Sequence, residues 1–170
     1  AKLSAIELAD AMAIQHNHNI FNLMPTNLYG PGDNFSETKS HVIPGLIKRM
    51  HLAKESGEKE FKIWGTGKPL REFLYVDDLS SAIEFLIDKK LNKNIINVGS
   101  SEEITINNLA QTIKELIGFK GELSFDNSKP DGNPRKLLDS DYINSLGWTA
   151  KTDLRSGLKK TYNWFKENIA

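Results

Sequence analysis

His41 stands at the end of a polar loop, directly ahead of a run with helical periodicity from Val42 to about Lys54. Imidazole titrates near neutrality, so a histidine placed there can deliver a proton to a reacting carbon, or it can simply cap the helix that follows. Arg71 opens an apolar-rich stretch that ends in the paired acids Asp77 and Asp78. That pattern puts a guanidinium at the start of a strand, where its two-pronged donor edge suits a nucleotide diphosphate, and it leaves Asp77 or Asp78 to cap the next helix. Trp64, followed by Gly65-Thr66-Gly67, offers a flat apolar face with one donor. It suits a base or a sugar, or else the edge of a core, which is the role expected of Trp148 and Trp164. His16 and His18 sit in a polar turn with no carboxylate nearby in sequence to complete a metal set, and His51 is read as structural. The chain has no cysteine, which removes thiolate nucleophiles, Cys-type zinc sites and disulfides and fits a reducing compartment.

The frame for these groups alternates strands and helices. A helix from Ala1 to about Gln15 is apolar on most sides, so it needs cover from a sheet and from a second subunit. Ile20 to Leu28 reads as one mostly buried strand running into the turn at Tyr29-Gly30-Pro31-Gly32-Asp33-Asn34. After the helix at Val42 come strands at Glu60 to Trp64 and Arg71 to Val76, a helix through Leu79 and Leu86, and a strand at Ile95 to Val98. Thr105 caps the next helix, a strand lies near Glu122 to Phe125, and two short helices occupy Ser140 to Leu146 and Asp153 to about Asn168. This order indicates an α/β sheet.

Length and charge set outer limits. One hundred and seventy residues are enough for a self-sufficient core. Lys plus Arg and Asp plus Glu are 22 each, so no global field draws the chain to nucleic acid or to an anionic membrane. Any preference for anions must be local. Apolar runs fall far short of the ~20 residues of a membrane span, and no leader pattern opens the sequence, so a cytoplasmic protein is expected.

Four stretches, Pro25-Thr26-Asn27-Leu28-Tyr29-Gly30-Pro31, Trp64-Gly65-Thr66-Gly67, Arg71-Glu72-Phe73-Leu74-Tyr75-Val76-Asp77-Asp78 and Lys129-Pro130-Asp131-Gly132, together resemble the extended short-chain dehydrogenase/reductase family of nucleotide-sugar enzymes. Asp33-Asn34-Phe35, Ser40-His41-Val42-Ile43-Pro44 and Pro134-Arg135-Lys136-Leu137-Leu138-Asp139 match in order and spacing, so the resemblance runs from Lys2 to the end. It implies the C-terminal part of a Rossmann-type α/β enzyme. Residues 1–35 and 76–104 would finish the dinucleotide-binding domain, and residues 36–75 and 105–170 would form the smaller substrate-binding domain. No strand here runs into a G-x-x-G-x-x-G turn. That turn, a catalytic Tyr four residues before Lys2, its Ser partner and the Cys used in epimerisation are all expected upstream, which would leave this chain inactive alone.

The resemblance also implies roles. Lys2, by spacing alone a solvated lysine, would favour the tyrosine phenolate by its charge and bond the cofactor ribose. Pro25, Asn27, Leu28 and Tyr29 would bring backbone to the nicotinamide of NADP(H), with His41 also at the cofactor and acting as the epimerisation acid. Arg49, Trp64, Arg71 and Lys129 would contact a GDP-sugar, against the plain readings of a surface arginine for Arg49 and a turn lysine for Lys129. Asp131 and Arg135 are expected at most to pair with each other. The activity implied is epimerisation at C3 and C5 of a GDP-4-keto-6-deoxy sugar followed by NADPH-dependent reduction at C4, in a homodimer built through the first helix. The alternatives are another NAD(P)-dependent nucleotide-sugar epimerase, dehydratase or reductase, or a non-catalytic sugar-nucleotide-binding module.

Overall fold

The computed structural model describes residues 1–91 and 93–170. Helix α1 (Lys2–His16) ends at Asn17, whose φ of 55° is left-handed, and no residue of α1 is buried. Leu3, Leu8, Met12 and Ile14 all face outward. The stretch read as one strand is two. β1 (Asn22–Pro25) pairs in parallel with β5 (Ile95–Val98), and β2 (Asn27–Tyr29) pairs in parallel with β4 (Leu70–Tyr75). The break falls where Pro25 lacks the N–H that would carry the ladder on. Thr26 bridges the gap, since its N–H donates to Val98 O (3.0 Å) and its hydroxyl to Glu72 O (3.3 Å).

Helix α2 (Val42–Glu55) buries Ile43, Leu46, Ile47 and Met50, the spacing of one helical face. In β3 (Glu60–Trp64) Phe61 and Ile63 point inward and Trp64 outward, and the strand pairs in parallel with β7 (Glu122–Asp126). β4 also takes the antiparallel β6 (Glu103–Thr105) and the two-residue β8 (Arg135–Lys136). Helix α3 (Val76–Leu86) starts at once after β4 with Tyr75 at its cap position, so neither Asp77 nor Asp78 caps it. Asp78 is instead buried, and its carboxylate accepts the N–H groups of Lys151 (3.1 Å) and Thr152 (3.0 Å). Helix α4 (Ile106–Ile117) is capped as expected by Thr105, which accepts from Asn108 N–H at 3.1 Å. Helices α5 (Asp141–Ser145) and α6 (Leu154–Asn168) close the chain, the latter capped by Asp153.

Two apolar clusters result. The larger gathers α2, α4 and α6 with Phe61, Ile63, Phe73 and Tyr75, and the smaller gathers Leu74, Leu86, Ile96, Val98, Ile143 and Trp148. β4 is the wall between them, because strand side chains alternate and its successive residues enter opposite clusters. Trp148 is buried with its indole N–H on Ser81 Oγ (3.0 Å), and Trp164 stacks on Phe35, so both are structural as expected. The fold is α/β with parallel strand pairs. No helix among the described residues is long and apolar enough to cross a membrane.

Candidate functional site

Two clefts meet at the start of α2. The larger, about 670 Å³, opens just past the carboxyl end of β1 and is lined by Lys2, Asn27, Leu28, Asp33, His41 and Arg71 among others. The smaller, about 360 Å³, is lined by Arg49, Trp64, Arg71, Pro130, Asp131 and Gly132, again with His41. Ser40, His41, Val42 and Arg71 belong to both, so the two spaces share one border.

His41 holds the cap position of α2 but its ring makes no cap hydrogen bond, and the side chain is exposed. The capping alternative therefore does not describe what the imidazole does. Arg71 spends one nitrogen on the chain: Nη1 donates to Leu70 O (2.7 Å) and Asn133 O (2.6 Å). Nε and Nη2 make no hydrogen bond among the described residues, which leaves one donor edge of the guanidinium for an anion. Arg49 lies with its guanidinium carbon 4.8 Å from the Phe61 ring centre and 5.2 Å from that of Trp64, while Nη2 donates to Lys62 O. It is thus not a free surface arginine. Burial pulls it below the ordinary arginine value, and its rings and carbonyl hold it under Trp64. Trp64 itself is 62% exposed, in contrast to the two structural tryptophans.

Not every residue singled out by sequence lines a cleft. Pro25 is exposed at the end of β1 and Lys129 is exposed beside Pro130, and neither lines either space. Tyr29 also turns away, its ring buried in the larger core and its hydroxyl near Leu154 O. Burial, with Asp153 and Asp78 adding to it, pushes that hydroxyl far above the usual tyrosine value, so it stays protonated. His51 bonds the Tyr162 hydroxyl (3.1 Å), and the His16 and His18 rings lie 5.4 Å apart, tilted to each other, at the exposed end of α1. No cluster of three or more metal-binding side chains occurs among the described residues. Asp131 and Arg135 do not pair. Arg135 grips Glu103 through Nε and Nη2 (2.8 and 2.7 Å), and Asp131 bonds Thr66.

Sequence reasoning missed Glu72, which is wholly buried next to Arg71. Its carboxylate accepts Ser101 N–H (2.8 Å) and Leu138 N–H (3.1 Å), and its carbonyl accepts the Asn27 amide (2.7 Å). One residue thereby ties the larger cleft's Asn27 wall to two loops. The available signal was an acid directly ahead of the apolar run Phe73-Leu74-Tyr75, since burying a carboxylate without donors is costly. Asp33 was likewise unassigned, although it lines the larger cleft and its Oδ2 is buried without a partner among the described residues.

Parallel α/β pairing with a two-part cleft past the end of β1 defines a Rossmann-like α/β fold. The chain belongs to the NAD dependent epimerase/dehydratase family, whose model matches residues 1–99. Over 169 residues it is 51% identical to GDP-L-fucose synthase 1 of Arabidopsis thaliana, covering 99% of this chain and 52% of that protein. It is 44% identical over 177 residues to the GDP-L-fucose synthase of Escherichia coli (strain K12), covering 99% of this chain and 55% of that protein. A crystal structure of a GDP-L-fucose synthetase from Naegleria fowleri bound to NADP gives a TM-score of 0.87 at 33% identity, over 96% of this chain and 53% of that one. The chain spans about half the length of the relatives it matches.

Proposed function

We propose that this chain carries the substrate cleft and one wall of the cofactor cleft of a GDP-L-fucose synthase. The reaction is 3,5-epimerisation of GDP-4-keto-6-deoxy-D-mannose and NADPH-dependent reduction of its C4 ketone, giving GDP-L-fucose. The observation that carries the reading is the shared border: His41 and Arg71 line both the cleft that holds Lys2, Asn27 and Leu28 and the cleft that holds Arg49 and Trp64. A proton donor placed there reaches the sugar while the nucleotide lies one way and the cofactor the other. The identities to named synthases support the same substrate class. In domain terms, residues 1–35 and 76–104 belong to the dinucleotide-binding part and residues 36–75 and 105–170 to the substrate-binding part. The compartment belonging to this reading is the cytoplasm.

The larger cleft suits a nicotinamide dinucleotide. Lys2 offers a cation, and Asp33 Oδ2 is an acceptor with no partner among the described residues. Bound NADPH supplies the hydride for C4. The chain's own residues do the rest of what these 170 positions can do. The C4 carbonyl acidifies C3 and C5, and once a base removes a proton from either carbon, His41 delivers one from the other face. The free edge of Arg71 holds the diphosphate and Trp64 covers the base or sugar, while Lys129, exposed on the loop beside Pro130, adds a cation outside the lining of the smaller cleft. Lys2 favours the phenolate of the reducing tyrosine and holds the ribose. The intact enzyme, given the keto-sugar and NADPH in heavy water, is expected to yield GDP-L-fucose deuterated at C3 and C5. Reduced product without deuterium at those carbons would make the enzyme a plain reductase and overturn the reading.

A further inference from the structure

Asp131 lines the smaller cleft without a role so far, and its partner is Thr66 in the turn after β3. Asp131 Oδ1 accepts the N–H of Thr66 (2.9 Å) and Oδ2 accepts its hydroxyl (2.7 Å), across 65 positions of sequence. Gly65 makes this approach possible: at φ 78° it has no Cβ, and a Cβ there would run into Asp131 Oδ1. A second pin lies two residues on, where Asn133 O accepts from Arg71 Nη1 (2.6 Å), and a Cβ on Gly132 would come within 3.0 Å of Arg71 Nη2. Leu70 N–H then donates to Pro134 O (2.9 Å), and the chain continues into β8. The glycine-rich turn after β3 and the proline-glycine loop after β7 thus explain each other's composition.

A carboxylate on the wall of a cleft for a diphosphate is unfavourable unless its charge is answered. Here both oxygens are occupied by Thr66, and Lys68 and Arg71 stand close enough to help hold the carboxyl below its ordinary value. We propose that Asp131 and Thr66 form a latch that positions the nucleotide of the substrate. The latch fixes Pro130, Asp131 and Gly132 as one wall beside Trp64 and, through Asn133, sets the direction of Arg71's free edge. The proposal deepens the GDP-sugar reading and rests on it. Asp131 and Thr66 are positioning residues: they act through the wall and through Arg71.

Calorimetry with GDP on the intact protein tests it, alongside steady-state turnover. Asp131→Ala is expected to weaken GDP binding about tenfold or more, the usual cost of losing hydrogen bonds to a charged group, and to raise KM with far less effect on kcat. Thr66→Val keeps the backbone donor and should lose less, and the double variant should be no worse than Asp131→Ala alone. Asp131→Asn can still accept from Thr66 N–H and donate to its hydroxyl, so it should bind nearly as wild type and keep the Thr66 amide protected from hydrogen exchange. If Asp131→Ala melts far below wild type, Thr66→Val carries the test, since it deletes one hydroxyl from a surface turn. Wild-type affinity in Asp131→Ala or in Thr66→Val, or fully additive losses in the double variant, would overturn the latch alone. A wild-type protein that does not bind GDP overturns both the latch and the substrate class beneath it.

Discussion

Single side chains divide the proposed chemistry, and the division is measurable. His41 and Lys2 line the same cleft, but only His41 also lines the smaller one. His41→Ala should slow deuterium exchange at C3 and C5 in the absence of NADPH by about 10²–10⁴-fold, the usual contribution of a positioned acid. Lys2→Ala should leave that exchange in place and cripple reduction. Exchange at the wild-type rate in His41→Ala would return His41 to the role of a loop residue. Trp64 gives a second handle, because it is the one tryptophan on a cleft wall while Trp148 and Trp164 are packed in the cores. GDP should quench fluorescence in the wild type and leave Trp64→Phe unchanged. Arg49→Ala removes the cation beneath the indole, an interaction of about 0.5–1 kcal/mol at an exposed site, and should weaken GDP binding modestly. The guanidinium of Arg49 was ambiguous in sequence because its stacking partners, Phe61 and Trp64, sit on β3 and become neighbours only when α2 packs on that strand. His41, Trp64 and Arg71 were picked out as cleft-facing because each stands next to a boundary between elements, where the periodic pattern breaks. Asp131 and Thr66 were not, since a turn and a loop far apart in sequence give no periodic signal.

Among the helices of the described residues, α1 is the one with no buried residue. Leu8 and Met12 stand one turn apart on one side, while Leu3 and Ile14 are 70% and 86% exposed. We propose a second copy of the protein as the partner of one face, in an isologous pair. Leu8→Glu with Met12→Glu should then turn a dimer into a monomer in sedimentation, and a wild-type monomer at micromolar concentration would end the idea. The periodic elements were read within a residue or two, because α2, α4 and α6 each carry an uninterrupted apolar face. The strand from Ile20 to Leu28 was read as one because its apolar run hides the change of partner at Thr26. Likewise the Asp77-Asp78 pair has the composition of a cap, and only the tertiary fold reveals that Asp78 reaches Lys151 and Thr152 instead.

For the molecule as a whole, charge and cooperativity give two expectations. Glu103, Glu115, Asp126, Asp131 and Asp153 are all held below the ordinary carboxylate range, Glu103 and Glu115 chiefly by bonds from Arg135 and Arg155 and the others by Ser and Thr donors. A depressed folded value means that the stabilisation is present above the unfolded value of about 4 and is lost as pH falls through the folded one. Melting temperature should therefore decline gradually below about pH 4, with the two arginine pairs weakened by salt. The groups lie at the surface, so the decline should be shallow. A melting temperature that rises on acidification would contradict this. The two cores share β4, so the fluorescence of Trp148 in the smaller and Trp164 on the larger should change at the same urea concentration. Separate midpoints would show that each core melts alone.

The shared strand also limits how the sequence can vary in length. Phe73 and Tyr75 enter the larger core and Leu74 the smaller, while Arg71, two positions ahead, reaches the clefts. Because the side-chain period of a strand is two, inserting one residue within β4 would exchange the faces of every residue on one side of it. Placed between Arg71 and Phe73, it would either send two aromatic rings toward the smaller core and Leu74 toward the larger, or turn the guanidinium of Arg71 away from the cleft. No compensating change in one neighbour repairs either fault. Length variation is admissible in the exposed turn at residues 56–57 and forbidden between Leu70 and Tyr75, where the registration of two cores and one binding residue is a single quantity.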